Sequence, residues 1–173
     1  MAKQTVFSGK IFSIVWDERL NQDGSTSVFE TVNAPDVVRV YPVRGDSIWL
    51  IREYRRELDR DILRTVSGRI EQGESPEQAG RRELREELGG MTTSMTTFAT
   101  SRPILKVDSV VHHVLADMPE IGPSSPEPDE RIRPAVYQIE QLESLVWEGH
   151  IIEDVIAMQL LRIARDPAML RFG

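Results

Sequence analysis

The sequence predicts a mixed α/β (α+β) domain, with helices packed on a mostly mixed β-sheet and a β-hairpin in front. Strand-like runs separated by turn signals fill the first third, a well-capped helix lies in the middle, and strand-like runs followed by two helical stretches close the chain. At 173 residues the chain reads as one domain, large enough to bury a core without disulfides or structural metals. Its hydrophobic content of 40% is too high for an unfolded polyelectrolyte. With no cysteine, thiol catalysis, thiolate metal sites and a disulfide framework are excluded. No apolar run is long enough to span a bilayer, and the opening MAKQTVFSGK lacks the apolar stretch of a secretory signal. These features predict a cytoplasmic protein with no membrane partner. A net charge of −7 argues against nucleic acid as a partner. An anionic ligand would therefore need a divalent cation to neutralise it.

The elements follow in order. Residues 10–16 alternate, with Phe12, Ile14 and Trp16 on one side, and the Asn21–Ser25 turn signal leads into the strand-like 28–32. Residues 5–33 thus read as a hairpin, and Asn33-Ala34-Pro35 breaks the chain. This divides it into an extension, 1–35, and a main domain, 36–173. A second hairpin is predicted from 37–41 and 47–51 around Arg44-Gly45-Asp46, then a short strand over 63–66. Ser75 is suited to cap a helix whose first turn holds Pro76, Glu77 and Gln78, and which ends at Gly89-Gly90. Gly80, Leu84 and Leu88 form a narrow stripe along it. Strands are expected over 94–101, 108–117 and 131–138, with a mobile, proline-rich surface loop over 119–128. A short helix over 139–147 and a longer one over 153–165 end the chain, the latter placing Ile156, Leu160 and Ile163 inward.

The chemistry is concentrated between Gly68 and Gly89. On the central helix, Glu83, Glu86 and Glu87 are spaced i, i+3, i+4, so their carboxylates share one face, while Leu84 and Leu88 occupy another. Such a cluster of hard oxygen donors suits Mg²⁺ or Mn²⁺. A charge-rich helix face is more often merely solvated, with Arg81, Arg82 and Arg85 offsetting the repulsion. The residues upstream separate the two readings. Gly68, Glu74, Arg82, Glu83, Glu86, Glu87 and Gly89 stand at the spacing of the Nudix box, and the chain resembles the Nudix hydrolases. With each residue at about 7% frequency, seven such matches arise by chance on the order of once per million chains. The last box position, usually aliphatic, is Gly90.

The resemblance implies a Nudix-type fold and a set of roles. Glu83 and Glu87 would be the principal metal ligands, Glu86 a ligand to further ions, and Ser67 the donor of a backbone carbonyl. Gly68 and Gly89 would shape the loop and helix end, and Arg82 would fix Glu74. Two or three Mg²⁺ ions would neutralise a diphosphate and activate water. Beyond the box, the layout resembles the ADP-ribose and nucleoside-diphosphate-sugar pyrophosphatases. Arg52-Glu53-Tyr54-Arg55 is similar to that group's Gln-Tyr-Arg element, which makes Arg55 and Arg52 substrate-binding candidates. That group takes its general base from a loop glutamate, for which Glu127 and Glu130 stand in position. It also forms homodimers through N-terminal strands, which assigns the hairpin a partner face. Ser67 replaces the common alanine, and no glycine follows Pro103 where the group carries Ser-Pro-Gly. The implied activity is Mg²⁺-dependent hydrolysis of ADP-ribose or a related nucleotide sugar. The alternatives are hydrolysis of nucleoside triphosphates or dinucleoside polyphosphates, and an ADP-ribose sensor without turnover.

Other residues carry less. His112 and His113 are adjacent on an expected strand, so they face opposite sides and cannot share a metal. There is no Gly-rich loop ending in Gly-Lys-Ser/Thr and no nucleophile-elbow motif. Trp49 reads as core, and Arg131 and Arg133 as solvating a strand.

Overall fold

The computed structural model describes residues 3–102, 104–118, 120–126 and 130–170. In chain order the strands are β1 (Lys3–Ser8), β2 (Ser13–Leu20), β3 (Thr26–Asn33), β4 (Val37–Arg44), β5 (Ser47–Arg55), β6 (Arg60–Arg64) and β7 (Val66–Arg69). Helix α1 (Pro76–Leu88) follows, then β8 (Gly90–Met91), β9 (Ser94–Ser101), β10 (Val107–Asp108), β11 (Val111–Asp117), β12 (Glu120–Ile121) and β13 (Ile132–Gln138). The chain closes with α2 (Leu142–Trp147), entered through a 3₁₀ turn at Ile139–Gln141, and α3 (Asp154–Arg165).

The central sheet runs β13-β5-β4-β11-β9, with β6 added on β5 and β7 on β4. Only the β4–β11 pairing in it is parallel, so the sheet is mixed. Alternation along β4 divides the core. Val38 and Val40 pack with Val66, Val114, Leu84 and Leu88 under α1. Tyr41 and Val43 pack with Leu115, Leu142, Ile156, Leu160 and Ile163 under α2 and α3. Each of these large side chains contributes roughly 1.5–3 kcal/mol on burial. The architecture is thus α+β, a mixed sheet between helices.

The extension is more than a hairpin. The expected pair is there as β2 and β3, joined through Asn21–Ser25 with Gly24 at φ +84°. Residues 3–8 add a third antiparallel strand, and β10 pairs parallel with β3. Both were missed because they are short or lack alternation, and their register comes from the partner strand. The expected short strand at 63–66 proves to be two, β6 and β7, which break at the buried Thr65.

Helix α1 begins where the capping signals place it. Ser75 Oγ accepts from Gln78 N, Gln78 Oε1 accepts from Ser75 N, and Pro76 opens the first turn. It ends at Gly89, in the left-handed region at φ +65°. The described part of the proline-rich segment is strapped to this end rather than free. Strand β12 pairs with β8, Gly122 N donates to Gly89 O at 2.7 Å, and Ser125 N donates to Glu86 O at 2.8 Å. The carbonyls at a helix C-terminus require donors, and this segment supplies them.

Gly90, the departure from the box, is explained by packing. A Cβ there would lie 2.8 Å from Met118 Sδ and 2.9 Å from Leu84 Cγ. Met118 and Leu84 fill the volume an aliphatic residue would use. Trp49 is half-buried against the α1-side core, as expected, whereas Met158 on α3 is exposed. His113 is fully buried, hydrogen-bonded with Tyr41 Oη at 2.9 Å and Ser101 Oγ at 2.8 Å. Burial, followed by the nearby charges of Arg39, Arg162 and His112, pushes its pKa down to about 4.

Two predictions follow from the packing and the buried imidazole. Gly90→Leu, which restores the usual aliphatic residue, should cost about 1–3 kcal/mol in urea denaturation through overpacking, and Met118→Ala in the same chain should recover part of it. For His113, the folded pKa lies below the ordinary 6.5, so its contribution is complete above pH 6.5 and is lost as pH falls towards 4. The loss should reach on the order of 3 kcal/mol, and His113→Gln should flatten the stability profile over that range. An unchanged slope in that variant would assign it to other groups.

Candidate metal and substrate site

The site forms where β7 passes under α1. Strand β7 pairs with β4 in the register Val38↔Gly68 and Arg39↔Ser67. Val66 packs into the core below α1, and Gly68, two residues on, faces the same helix. A Cβ at Gly68 would lie 1.7 Å from Glu83 Oε1. The absence of a side chain at 68 is what gives the Glu83 carboxylate its place. One helical turn on, Glu87 is buried, with Oε1 at 3.5 Å from Ser67 N and Oε2 without a partner.

The electrostatics of these two carboxylates are strained in the same direction. Burial pushes the Glu87 pKa up to about 9, helped by the charges of Glu83 and Glu130 and opposed by Arg64. The Glu83 pKa is also raised, chiefly by burial and against the Arg82 hydrogen bond, with Glu86 and Glu130 adding repulsion. Glu130 therefore shares one electrostatic field with both box glutamates. Glu127, the other loop candidate, lies outside the described residues.

Arg82 organises the rest. Its Nε and Nη2 each lie 3.0 Å from a Glu74 carboxylate oxygen, and Nη2 donates to Arg69 O at 2.9 Å. Its Nη1 donates to Glu83 Oε1 at 2.6 Å and reaches Glu86 Oε2 at 3.3 Å. The bidentate pairing holds the Glu74 carboxyl below the usual carboxylate range. Because Arg82 draws Glu83 and Glu86 towards itself, no three acidic or imidazole side chains among the described residues form a ready-made cation cage. The donors nevertheless fit a hard divalent cation: carboxylate oxygens on one face, an unpartnered buried oxygen on Glu87, and a strand stripped to its backbone at Gly68.

The remaining candidates separate. Arg55 Nη1 and Nη2 donate to Glu53 and Glu57 at 3.0 and 3.1 Å, and Arg55 lines a cavity of about 280 Å³ with Leu58, Ile62, Arg64 and Glu153. Arg52 turns the other way and donates to Tyr137 Oη at 2.8 Å. Arg131 stacks over Tyr54, and Arg133 pairs with Asp61. Sequence reasoning missed Arg64, which donates to Glu53 Oε2 at 2.5 Å and to Ser67 Oγ at 3.0 Å. It also missed Arg39, buried and paired at 2.5 Å with Glu153, the residue preceding α3. No spacing rule connects positions 39, 53, 64 and 153, because only the folded sheet brings them together.

A mixed sheet between helices, with a glycine-bared strand facing three helical glutamates, defines the Nudix class. The NUDIX domain matches residues 33–156, and the chain belongs to that family. Over 121 residues it is 34% identical to the ADP-ribose pyrophosphatase of Bacillus subtilis (strain 168), a match covering 68% of this chain and 64% of that protein. Over 117 residues it is 31% identical to the methanol dehydrogenase activator of Bacillus methanolicus, covering 65% and 62%. The chain thus spans slightly under two thirds of the length of these curated relatives. A crystal structure of an ADP compounds hydrolase superimposes with a TM-score of 0.78 at 25% identity, covering 94% of this chain and 90% of that one. No helix among the described residues is long and apolar enough to cross a membrane.

The buried Glu87 generates a prediction. Its folded pKa lies above the ordinary value of 4.5, so the metal-free fold loses stability as pH rises from 4.5 towards 9. Glu87→Gln should raise the stability of the metal-free protein near pH 8 by roughly 2–4 kcal/mol, and should remove the Tm increase expected of the unaltered chain when Mg²⁺ is added. Thermal scans in EDTA and in Mg²⁺ check both halves. A lower Tm for Glu87→Gln in EDTA would contradict the reading of Glu87 as a strained, ligand-ready carboxylate.

Proposed function

We propose that this protein is a divalent-cation-dependent pyrophosphohydrolase that splits ADP-ribose or a related nucleoside diphosphate sugar into a nucleoside monophosphate and a sugar phosphate. The observation that carries this reading is the buried Glu87 carboxylate, whose Oε2 has no hydrogen-bond partner, beside Glu83, which fills the space over the side-chain-free Gly68. Glu83, Glu87 and the Ser67 carbonyl would hold Mg²⁺ or Mn²⁺, with the more exposed Glu86 available to a further ion. Bound there, the cations would neutralise the diphosphate, polarise phosphorus and lower the pKa of attacking water. The protein's own part is positioning. Arg82, braced by Glu74, orients Glu83. Arg64 and Arg55 lie on the adjoining side, where they can take phosphate oxygens. Glu130, whose charge acts on both Glu83 and Glu87, would accept the water proton as general base.

The ADP-ribose pyrophosphatase of Bacillus subtilis and the ADP compounds hydrolase support an ADP-containing substrate. The division into an extension, 1–35, and a catalytic domain, 36–173, goes with a homodimer. Phe7, Trp16 and Phe29 on the N-terminal strands and Phe12 in the β1–β2 connection are all at least 40% exposed, an apolar surface that a second copy would cover. A cytoplasmic location agrees with the small-molecule substrate.

The test is a product-identified hydrolysis screen with Mg²⁺ and with EDTA. Its panel holds ADP-ribose, ADP-glucose, UDP-glucose, GDP-mannose, a dinucleoside polyphosphate and the nucleoside triphosphates. Metal-dependent release of AMP and ribose phosphate, fastest from ADP-ribose, is expected. Glu83→Gln should lower kcat by two orders of magnitude or more, and Glu130→Gln by about 10²–10⁴-fold, both with the fold retained. Preferential cleavage of triphosphates would overturn the substrate assignment, and tight ADP-ribose binding with no cleavage would overturn the enzyme reading.

A further inference from the structure

A second cavity, of about 500 Å³, lies between the N-terminal extension and the central sheet. Phe12 comes from the extension, Pro35 and Val37 from the junction, and Val155 from the first turn of α3. Into this largely apolar wall the fold places Arg39 and Glu153. The Arg39 side chain is only 10% exposed, and its Nε and Nη1 have no hydrogen-bond partner; Nη2 alone is engaged, by Glu153 Oε1. Glu153 Oε2 accepts no hydrogen bond and is held only through charge by Arg64, whose Nε lies at 3.4 Å. A guanidinium buried short of two acceptors is costly to the empty fold, and an acceptor-bearing ligand relieves that cost.

Strand alternation turns Arg39 and Arg69 to the face of the sheet opposite Gly68. The link to the metal face runs through Arg64, which donates to Ser67 Oγ at 3.0 Å and lies 3.4 Å from Glu153 Oε2 in the cavity wall. A diphosphate held beside Ser67 and Arg64 would have one of its two ends directed towards the cavity. The charges indicate which part of the substrate enters. Arg39 and Arg69 are balanced by Glu153 and Asp154, so the lining has no surplus positive charge for phosphate. Apolar walls around a buried donor and acceptor pair suit an uncharged group with hydroxyl, carbonyl or ring-nitrogen functions.

We propose that Arg39 and Glu153 are specificity-determining residues, which hydrogen-bond the uncharged end of a nucleoside diphosphate sugar in this cavity. The inference rests on the pyrophosphohydrolase reading and adds residues that the box does not contain. Both the nucleoside and the terminal sugar carry the required chemistry, and two truncated substrates distinguish them. The β-methyl ester of ADP keeps the nucleoside and lacks the sugar. The β-methyl ester of ribose 5-diphosphate keeps the sugar and lacks the nucleoside.

The experiment compares the unaltered chain with Arg39→Met, Glu153→Gln and the double variant, the last leaving neither charge unpaired. With ADP-ribose, KM should rise tenfold or more while kcat stays within twofold. One truncated ester should be cleaved with the same kcat/KM by every variant, because it lacks the group that Arg39 and Glu153 hold. Indifference of the ribose ester places the nucleoside in the cavity, and indifference of the ADP ester places the sugar there. Unchanged KM for ADP-ribose, or equal losses on both esters, overturns the proposal. Equilibrium binding of ADP-ribose in EDTA provides a readout independent of turnover. If the unaltered chain cleaves nothing, the pyrophosphohydrolase reading fails, and the cavity assignment then stands on tenfold weaker binding by the variants. Equal binding, or none to any form, overturns it.

Discussion

The contact between a strand backbone and a helix carboxylate at Gly68 is the constraint on which the rest of the structure depends. The Glu83 carboxylate occupies the space a side chain at 68 would fill, so β7 and α1 can approach only if that position is glycine. The approach buries Glu87 one turn further along, where its outer oxygen has no partner. Burying like charges this closely is unfavourable in the empty protein. The fold tolerates it because α1 is fixed by other means: the Ser75 capping box at one end, the left-handed Gly89 at the other, and Leu84 and Leu88 in the core. The helix is held by its caps and its apolar stripe, so its acidic face is not needed to dock it.

Arginines then divide the acidic residues into two groups. Arg82 belongs to the helix side, clamping Glu74 and reaching Glu83 and Glu86. Arg39, Arg55 and Arg64 belong to the sheet side, sharing Glu53, Glu57 and Glu153. Arg64 links the two groups, because it pairs with Glu53 and Ser67 while its charge acts on Glu87. In a chain with a net charge of −7, Arg64 is thus the cation that carries the sheet-side network to the acidic face of α1.

The parts of this arrangement legible in the sequence are those governed by local rules. The cap at Ser75, the stop at Gly89, the shared face of Glu83, Glu86 and Glu87, and the Glu74–Arg82 pair all lie within one helix or its approach, where spacing translates directly into geometry. The parts that escaped are tertiary. Strands β1, β8, β10 and β12 are short or weakly patterned and exist because a partner supplies their hydrogen bonds. Arg39 sits mid-strand among Val37, Val38, Val40 and Tyr41, a run whose pattern gives no hint that one position will hold a buried ion pair across 114 residues. Arg52 and Arg55 look alike in sequence, yet strand alternation sends one to Tyr137 and the other to a cavity edge.

The segment after β11 shows how the metal face and the general-base candidate come to be coupled. Four prolines between 119 and 128 suggest a free loop, and among its described residues only the two-residue β12 is regular. Its backbone donors still need acceptors, and the C-terminus of α1 has carbonyls without donors. Gly122 and Ser125 meet that demand at Gly89 and Glu86, the latter a box glutamate itself. Glycine at 89 matters twice: it takes the left-handed turn, and a Cβ there would stand 2.2 Å from Gly122 O. The same residue that terminates α1 therefore admits the strap. Just before β13, Glu130 stands in the field of Glu83 and Glu87. The end of the Nudix box is thus both a helix stop and the anchor of the segment leading to Glu130.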